Sequence, residues 1–357
     1  MNKPTFAIIG AGSGGIAMTA HLLSQGYKVN LFNRSKERIA TIKKNGTIKS
    51  YGEIKGTFQP EIITTNIEKA ISGVNVIFVV VPAFAHKDIA ELCFPHLKDS
   101  QIVILNPGRT FGAIEFAQIL KNKRKFLNII VAESQTLLHT CRMSKEDTVN
   151  VLAIKKRIAL ATLNSNQIQK VIKLINKPLP QFVPAKNILE TGLNNVGAIF
   201  HPTPILLNIG WIETPRTKFK YYYEAITPTV AKFLEQIDKE RIQLAKAMGV
   251  KTISARQWLY RVYGARGKTL HEAIQNNTYY QTIDAPNTIH HRYIYEDIPT
   301  GLVPLASLGE WLKINTPITN LIIDLACKIC QKNFRKEGRT IKNLKIQNFL
   351  EKHKYKT

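Results

Sequence analysis

The first third of the chain alternates short apolar runs with segments of helical spacing. The segment SGGIAMTAHLLSQG predicts a helix that ends at Gly26, and AHKDIAELCF predicts another. Strands alternating with helices are typical of a parallel sheet with helical crossovers. The runs rich in β-branched residues predict strands at Thr5 to Ile9, Lys28 to Phe32, Val76 to Val81, Ile102 to Asn106 and Asn128 to Glu133.

The pattern changes near residue 150. Asn150 to Ala161 is β-rich, SNQIQKVIKLIN predicts one more helix, and beyond the three prolines of KPLPQFVPAKN the pattern is mainly helical. A chain of 357 residues is long enough for two domains. We therefore predict an α/β domain over residues 1–184 with its boundary near Pro184, and an all-helical domain over residues 185–357.

Composition and charge narrow the class of protein. Apolar runs such as VIFVVVPAFA are too short to span a bilayer, and the apolar run at the start of the chain soon meets glycines, so we expect a soluble, cytoplasmic protein without a membrane partner. Lys and Arg number 50 against 25 acidic residues. These cations are spread along the chain, with a basic tail from Lys332 to Thr357, and no nucleic-acid module is recognisable; we therefore favour anionic small ligands over nucleic acid.

The cysteine pattern does not favour a metal site. Cys327 and Cys330 form CKIC, which has redox or half-zinc spacing, but both fall at helical intervals in NLIIDLACKICQK, and the chain has no second CxxC. Buried helical cysteines are the preferred interpretation, and we expect no metal.

The strongest motif is FAIIGAGSGGIAM, in which Gly10-x-Gly12-x-x-Gly15 follows an apolar strand and opens a helix. The first glycine permits a tight turn, the second lets the backbone approach a pyrophosphate, and the third allows close packing of helix on strand. Ser13 and Gly14 complete the turn at the positive end of the helix, where free amides bind phosphate. This context predicts a Rossmann-type, doubly wound parallel sheet that binds a dinucleotide.

The residues after the second predicted strand bear on which dinucleotide is bound. NAD enzymes usually carry Asp or Glu here to bind the ribose hydroxyl, whereas this chain has Asn33, Arg34 and Ser35. A neutral residue followed by arginine suits a 2′-phosphate. We therefore favour NADPH over NADH, although Arg34 as a surface residue with NAD held by other groups is the alternative.

Three further loops are expected at the carboxyl edge of the sheet, where doubly wound folds bind ligands. Pro82 in VVVPAFAH is a candidate cofactor contact, and Asn106 in LNPGRTFGA and Thr136 in AESQTLLHTCR are candidate substrate contacts. His86 and His139 lie in the same loops, but we expect them to be packing or surface histidines.

The segment FHPTPILLNIGW places a histidine and two prolines inside an apolar run. A helix through NILETGLNNVGAIF must stop at His201, because a residue before proline is displaced from helical dihedrals. Pro202 then suits the first position of a new helix. His201 at such a junction is either a cleft-facing functional group or a packing residue.

A second polar cluster stands in HHRYIYEDIP. Arg292 offers a planar fork for a carboxylate, and Asp297 is able to orient a histidine and stabilise its charge. A solvated loop with local ion pairs is the alternative interpretation.

Together these motifs resemble the octopine/nopaline (opine) dehydrogenase family over nearly the whole chain. GAGSGG, VVVPAFAH, LNPGRTFGAIEF, AESQTLLHTCR, NNVGAIFHPTPILLNIGWIE and HHRYIYEDIP stand in the family's order. The resemblance implies that His201 and Asp297 form a catalytic dyad and that Arg292 holds a keto-acid carboxylate, with the substrates in a cleft between the two domains. It also implies reductive condensation of an amino acid with an α-keto acid such as pyruvate. Many members prefer NADH, so the NADPH expectation departs from the family.

Two rival functions stay open on the sequence alone. A reductase of the ketopantoate reductase or glycerol-3-phosphate dehydrogenase type shares the two-domain layout but relies on a helix lysine, and NILETGLNNVGAIF has none. An NADP-binding redox-sensing regulator is the second rival, with the basic tail on nucleic acid. Neither the amino acid nor the keto acid is specified, and a homodimer is compatible with the sequence.

Overall fold

A computed structural model describes residues 3–123 and 128–353. The chain divides into two compact units, residues 1–191 and 192–357. The domain boundary near Pro184 stays a prediction, and Pro184 itself ends the last strand of the first unit. The last four residues of the basic tail, 354–357, lie outside the described residues.

The described strands all lie in the first unit, whereas helices occur throughout the described chain. The strands are β1 Phe6–Ile9, β2 Val29–Phe32, β3 Ile48–Gly52, β4 Gly56–Phe58, β5 Ile62–Thr64, β6 Val76–Val79, β7 Ile102–Leu105, β8 Ile130–Ser134, β9 His139–Lys145, β10 Thr148–Ile154, β11 Ile158–Thr162 and β12 Phe182–Pro184. The helices are α1 Ser13–Ser24, α2 Lys36–Asn45, α3 Ile67–Ile71, α4 His86–Cys93, α5 Gly112–Lys123, α6 Ile168–Ile175, α7 Ile188–Leu193, α8 Gly197–Phe200, α9 Pro202–Leu207, α10 Ile209–Glu213, α11 Tyr221–Glu224, α12 Pro228–Ala247, α13 Ala255–Tyr263, α14 Leu270–Gln275, α15 Arg292–Tyr295, α16 Val303–Leu312, α17 Pro317–Ile329, α18 Phe334–Glu337 and α19 Gln347–His353.

The main sheet of the first unit has the predicted doubly wound form. Its eight described strands run in the order β12-β11-β8-β7-β6-β1-β2-β5, parallel except for the β8–β11 pair. The central strands β1, β6 and β7 are buried along their whole length, which explains their unbroken apolar runs. Because the strand order reverses between β1 and β6, the carboxyl ends of these two strands flank the position where such folds bind ligands. The fold class predicted from the sequence is confirmed.

A second, smaller sheet was not predicted. It consists of β4-β3-β10-β9 in that order, and β3 pairs in parallel with β10. Helix α1 packs against β3, β9 and β10, so its two faces are covered by different sheets. The strands of the small sheet are mixed in polarity, and β3 has only two buried positions. Such short, half-exposed strands leave a weak sequence signal.

In the second unit, the predicted helix through residues 187–200 is wrong. α7 ends at Leu193 and α8 begins at Gly197, so Asn194 and Asn195 already interrupt the helix before the prolines. The break at His201 is present, and Pro202 opens α9 as predicted. The longest described helix, α12, begins with the same device: Pro228 follows Thr227, whose side chain caps the helix.

The CKIC pair is only partly as predicted. Cys327 lies within α17 and Cys330 ends it, but both are half-buried rather than buried. All the cysteines in the described residues are free. In the same residues no group of three or more His, Cys, Asp or Glu side chains is placed to hold a metal ion, and no helix is long and apolar enough to cross a membrane.

Candidate active site

The glycine turn joins β1 to α1 at the strand-order reversal. Gly10 has a φ of +116°, and a Cβ there would lie 2.4 Å from the carbonyl oxygen of Val80. A Cβ on Gly15 would lie 1.7 Å from the carbonyl oxygen of Gly10. A Cβ on Gly12, in contrast, would meet no atom within 4 Å. Glycine at Gly10 and Gly15 is thus needed for the fold, whereas Gly12 faces open space.

That space lies at the start of α1. Gly12 is the N-cap and supplies no side-chain cap, so helix geometry leaves the first-turn amides of Ser13, Gly14 and Gly15 without helical acceptors. These amides and the positive end of the helix attract an anion. A cradle of backbone amides beside a glycine that faces open space fits the pyrophosphate of a dinucleotide.

The residues after β2 divide into two structural groups. Asn33 accepts a hydrogen bond from the Ala11 amide at 3.1 Å, and Ser35 caps α2 by accepting one from the Arg38 amide at 3.1 Å. Arg34 instead projects into solvent, where its guanidinium lies 3.1 Å from the Asp88 carboxylate; the side chains are 67% and 56% exposed. Arg34 is therefore the member of this group that is available to a ligand, with Asp88 as a competitor.

The loops at the carboxyl edge converge on Ser134, which the sequence analysis missed. Its hydroxyl lies 2.8 Å from the Asn106 side-chain oxygen and 3.1 Å from the Thr136 carbonyl oxygen. Asn106 is fully buried, and its side-chain amide nitrogen has no hydrogen-bond partner among the described residues. Since this donor has no exposed surface, the role of Asn106 as a substrate contact stays a prediction. Pro82, in contrast, is exposed at the turn that leads to α4.

Glu133 is a second residue that the sequence analysis missed. It is fully buried, and its carboxylate accepts hydrogen bonds from the Ala113 amide at 2.8 Å and the Thr191 hydroxyl at 2.6 Å. The first of these bonds lies at the start of α5, where a negative charge is stabilised by the helix dipole. Glu133 thereby fixes the loop between β7 and α5, next to Asn106. The signal in the sequence was a glutamate at the end of an otherwise apolar strand.

The histidines of these loops are buried rather than exposed in a site. His86 has no exposed surface, and His139 is 1% exposed. The Nε2 of His139 lies 2.9 Å from the Nδ1 of His21, and burial lowers the pKa of His21 to about 4 and that of His139 well below its ordinary value. The lowered pKa values keep the His21 and His139 rings neutral at physiological pH, which suits packing rather than proton transfer.

The proline junction of the second unit holds its histidine from two sides. α8 ends at Phe200 and α9 starts at Pro202, so His201 stands between them. The Tyr221 hydroxyl lies 3.2 Å from the carbonyl oxygen of Phe200, which has no helical donor because Pro204 lacks an amide hydrogen, and 2.5 Å from the carbonyl oxygen of His201. A buried tyrosine thus satisfies the broken turn.

His201 and Asp297 meet although 96 positions separate them. The Nδ1 of His201 lies 2.7 Å from Oδ2 of Asp297, and the two side chains are 13% and 0% exposed. A carboxylate at this distance fixes the proton on Nδ1 and stabilises the imidazolium form. In this arrangement, any proton exchange with another molecule would take place at Nε2.

Arg292 lies on the same short segment as Asp297. Its guanidinium is 3.2 Å from the Glu296 carboxylate and 5.1 Å from the centre of the Tyr293 ring. The Glu296 side chain is 2% exposed, whereas that of Arg292 is 42% exposed. A buried carboxylate therefore holds the guanidinium from the protein side, while part of the Arg292 side chain is exposed to solvent. In the second unit, the structure brings together three predicted residues, namely His201, Arg292 and Asp297.

Comparison with known proteins adds to this geometry. Residues 5–125 match a family model described as NAD-dependent glycerol-3-phosphate dehydrogenase N-terminus, and residues 184–330 match the NAD/NADP octopine/nopaline dehydrogenase, alpha-helical domain. An opine dehydrogenase of Arthrobacter sp. (strain 1C) is 38% identical over 345 residues, which cover 96% of each chain.

Two solved structures share the fold. Octopine dehydrogenase in complex with NADH and agmatine superposes with a TM-score of 0.76 at 20% identity, covering 92% of this chain and 90% of that one. Yersinopine dehydrogenase with NADP+ bound gives 0.72 at 16% identity, covering 99% and 94%. At these identities the likeness concerns the fold, whereas the Arthrobacter relative concerns the family. The chain belongs to the opine dehydrogenase family and is an NAD(P)-dependent oxidoreductase.

Proposed function

We propose that the protein condenses an amino acid with an α-keto acid and reduces the resulting imine to an N-(1-carboxyalkyl) amino acid, with NADPH as the preferred cofactor. The observation that supports this proposal most is the 2.7 Å contact between the His201 imidazole and the Asp297 carboxylate. Arg292, which is half-exposed, lies on the same segment as Asp297. An acid/base group and a carboxylate anchor are the two side-chain functions that the condensation requires.

His201 acts in the proton transfers between the substrates. Its Nε2 takes a proton from the substrate ammonium, and the freed amine attacks the keto carbon. A proton then passes from the new N–H2+ group to the former carbonyl oxygen, which gives a neutral carbinolamine. His201 returns its proton to the hydroxyl group, which departs as water and leaves a protonated C=N bond. Asp297 holds the ring and offsets its positive charge while the proton is on it.

Arg292 binds the carboxylate of the keto acid and fixes the direction from which the amine approaches. Its guanidinium presents two parallel N–H donors to a carboxylate, a geometry that lysine does not offer. The bound cofactor supplies hydride to the imine carbon. The chain's own contribution is to orient the substrates and move protons.

The proposed preference for NADPH rests on Arg34, which is exposed just after β2. NAD enzymes usually carry an acidic residue at this place, and its charge would repel a 2′-phosphate. Asn33 and Ser35 support this position indirectly, because their hydrogen bonds fix the turn from which Arg34 projects. We also propose a cytoplasmic location, where NADPH and keto acids are both available, and no nucleic acid or membrane as partner. A homodimer is compatible with this proposal.

The test is NADPH oxidation with the twenty amino acids crossed with pyruvate, glyoxylate, oxaloacetate and 2-oxoglutarate. We expect turnover only when an amine and a keto acid are both present, with the product identified by mass. The His201→Ala protein is the control for adventitious oxidation. Full turnover with pyruvate alone would contradict the proposal and favour a simple keto-acid reductase.

A further inference from the structure

The ring of Tyr293 lies against both predicted functional groups of the second unit. It is stacked on the His201 imidazole, with ring centres 4.0 Å apart and planes 8° from parallel. The Arg292 guanidinium carbon lies 5.1 Å from the centre of the same ring. Tyr293 is 4% exposed, so this position is set by packing.

Two further rings hold Tyr293 in place. His291 meets it edge-on, with ring centres 4.5 Å apart and planes at 87°, and Tyr221 lies at 5.1 Å. Tyr221 is the residue that satisfies the carbonyls of the proline junction. The stack therefore connects the backbone break at His201 to the segment that carries Arg292.

We propose that Tyr293 is a positioning residue that sets the plane of the His201 ring and the place of the Arg292 guanidinium relative to it. Its catalytic consequence rests on the function proposed above. A hydrogen bond to Asp297 fixes one nitrogen of His201 but leaves the ring free to tilt about that bond. A parallel aromatic face at 4.0 Å removes that freedom.

The Tyr293 ring also affects the positive charges next to it. The π face of an aromatic ring is negative, so it stabilises the imidazolium that forms when His201 takes a proton. The ring also attracts the guanidinium of Arg292, which Glu296 holds from another side. The ring thus offsets part of the repulsion between two cations that the proposed reaction needs near one another.

The carboxylates on the α15 segment, α12 and α17 have partners of their own. From the segment that contains α15, Asp297 faces the imidazole directly and Glu296 pairs with Arg292. On α12 and α17, which both pack against α9, the carboxylates are paired as follows: Glu235 with the Leu270 amide, Asp238 with Arg241, Glu240 with the amides of Ile318 and Thr319, and Asp324 with Arg335. Asp297 and Arg292 are therefore the charged side chains next to His201, and Tyr293 is the uncharged ring that contacts both His201 and Arg292.

The first test does not depend on the reaction. The chain has nine histidines, and the His201 signal in a histidine NMR titration of the full-length protein is identified by its absence in His201→Ala. We expect Tyr293→Leu to lower the pKa of His201 by about 0.4 to 1.5 units, because the imidazolium loses a cation–π contact. Tyr293→Phe keeps the ring and is the matched control, with a pKa close to that of the unchanged protein.

The second test is kinetic. Tyr293→Leu should lower kcat by roughly 10- to 100-fold, as expected for misplaced reacting groups, and should raise the KM for the keto acid through Arg292. Tyr293→Phe should retain both constants. Tyr293→Met, which keeps volume without a ring, serves if the leucine protein does not fold.

Opposite results overturn the inference in distinct ways. An unchanged His201 pKa in the leucine or methionine protein would show that the stack has no effect on charge. Equal losses in Tyr293→Phe and Tyr293→Leu would assign the effect to the hydroxyl rather than to the ring. If the enzyme turned over keto acids without an amine while the NMR shifts held, the proposed function would fail and the positioning role would stand.

Discussion

The glycine turn and the His201–Asp297 pair are two candidate sites built in opposite ways. The turn consists of six consecutive residues, Gly10 to Gly15, and its chemistry comes from backbone amides and the absence of side chains. The pair consists of side chains 96 positions apart that meet through packing of the helical unit. A site made of backbone groups can therefore be predicted from a short sequence motif. A site made of side chains from distant positions depends on the tertiary packing of the elements that carry them.

The largest predicted effect concerns the pair. His201→Ala should leave cofactor affinity intact and lower turnover by roughly 10²- to 10⁴-fold, the range for a lost proton transfer. Asp297→Asn should also impair turnover, because an amide neither stabilises the imidazolium nor enforces its tautomer. Steady-state kinetics with calorimetric measurement of cofactor binding checks both variants.

The double variant sharpens this prediction. Residues that act as one unit are not additive, so the double variant should be little worse than His201→Ala alone. Losses that multiply would argue against a shared role. Near-normal turnover in His201→Ala with a lower melting temperature would make the proline junction a packing device.

The next prediction separates folding from binding in the glycine turn. In Gly12→Ala the new methyl group meets no protein atom, and the φ of −74° is ordinary, so the melting temperature should not change. The methyl would occupy the space that a pyrophosphate needs, and cofactor affinity should fall by about tenfold or more, equal to ~1.4 kcal/mol.

Gly73→Ala is the matched control. Gly73 has a φ of +68° and no neighbour within 4 Å of a new Cβ, and it lies outside the turn. Strain from the left-handed conformation, about 1 to 2 kcal/mol, should lower its melting temperature while cofactor affinity stays unchanged. If both variants lost affinity equally, the turn would not be a pyrophosphate site.

Arg34→Ala tests the cofactor preference. Loss of a charge-assisted contact with the 2′-phosphate should weaken NADPH by on the order of ten- to a hundred-fold and leave NADH nearly unchanged. Affinities from fluorescence titration with both cofactors measure the difference. Equal weakening of both would make Arg34 a structural residue.

The smallest predicted effect concerns Asp88, the competitor for Arg34. Exposed ion pairs contribute about 0 to 1 kcal/mol, so Asp88→Asn should strengthen NADPH binding by at most about fivefold. The gain should shrink with added salt, because screening weakens both the pair and the phosphate contact. A loss of NADPH affinity in this variant would mean that Asp88 supports the site instead of competing for it.

The predictable part of the fold follows from burial. Strands β1, β6 and β7 are buried at every position, so their apolar runs were visible and their bounds were correct within two residues. The small sheet was missed because β3 and β4 are short and largely exposed. The helix break at Asn194 and Asn195 was missed as well, since two asparagines signal an interruption far more weakly than a proline does.

In the candidate site, the sequence predicted individual residues but not the contacts between them. His201 stood out through its prolines, and Arg292 through its polar cluster. Pairing with Asp297 came from family resemblance rather than from any local pattern. Ser134 and Glu133 were missed because their roles arise from hydrogen bonds across neighbouring elements, and Tyr293 because stacking leaves no trace in residue order.

The small sheet also has a consequence for synthesis of the chain. Lys49 of β3 pairs with Thr148 of β10, and α1 packs on this sheet. At about 5 to 20 residues per second, β3 is synthesised roughly 5 to 20 s before its partner strand. Throughout that interval the nascent chain carries the complete glycine motif, while one face of its helix lacks its cover. The glycine motif is thus translated well before the strands that cover the helix it opens.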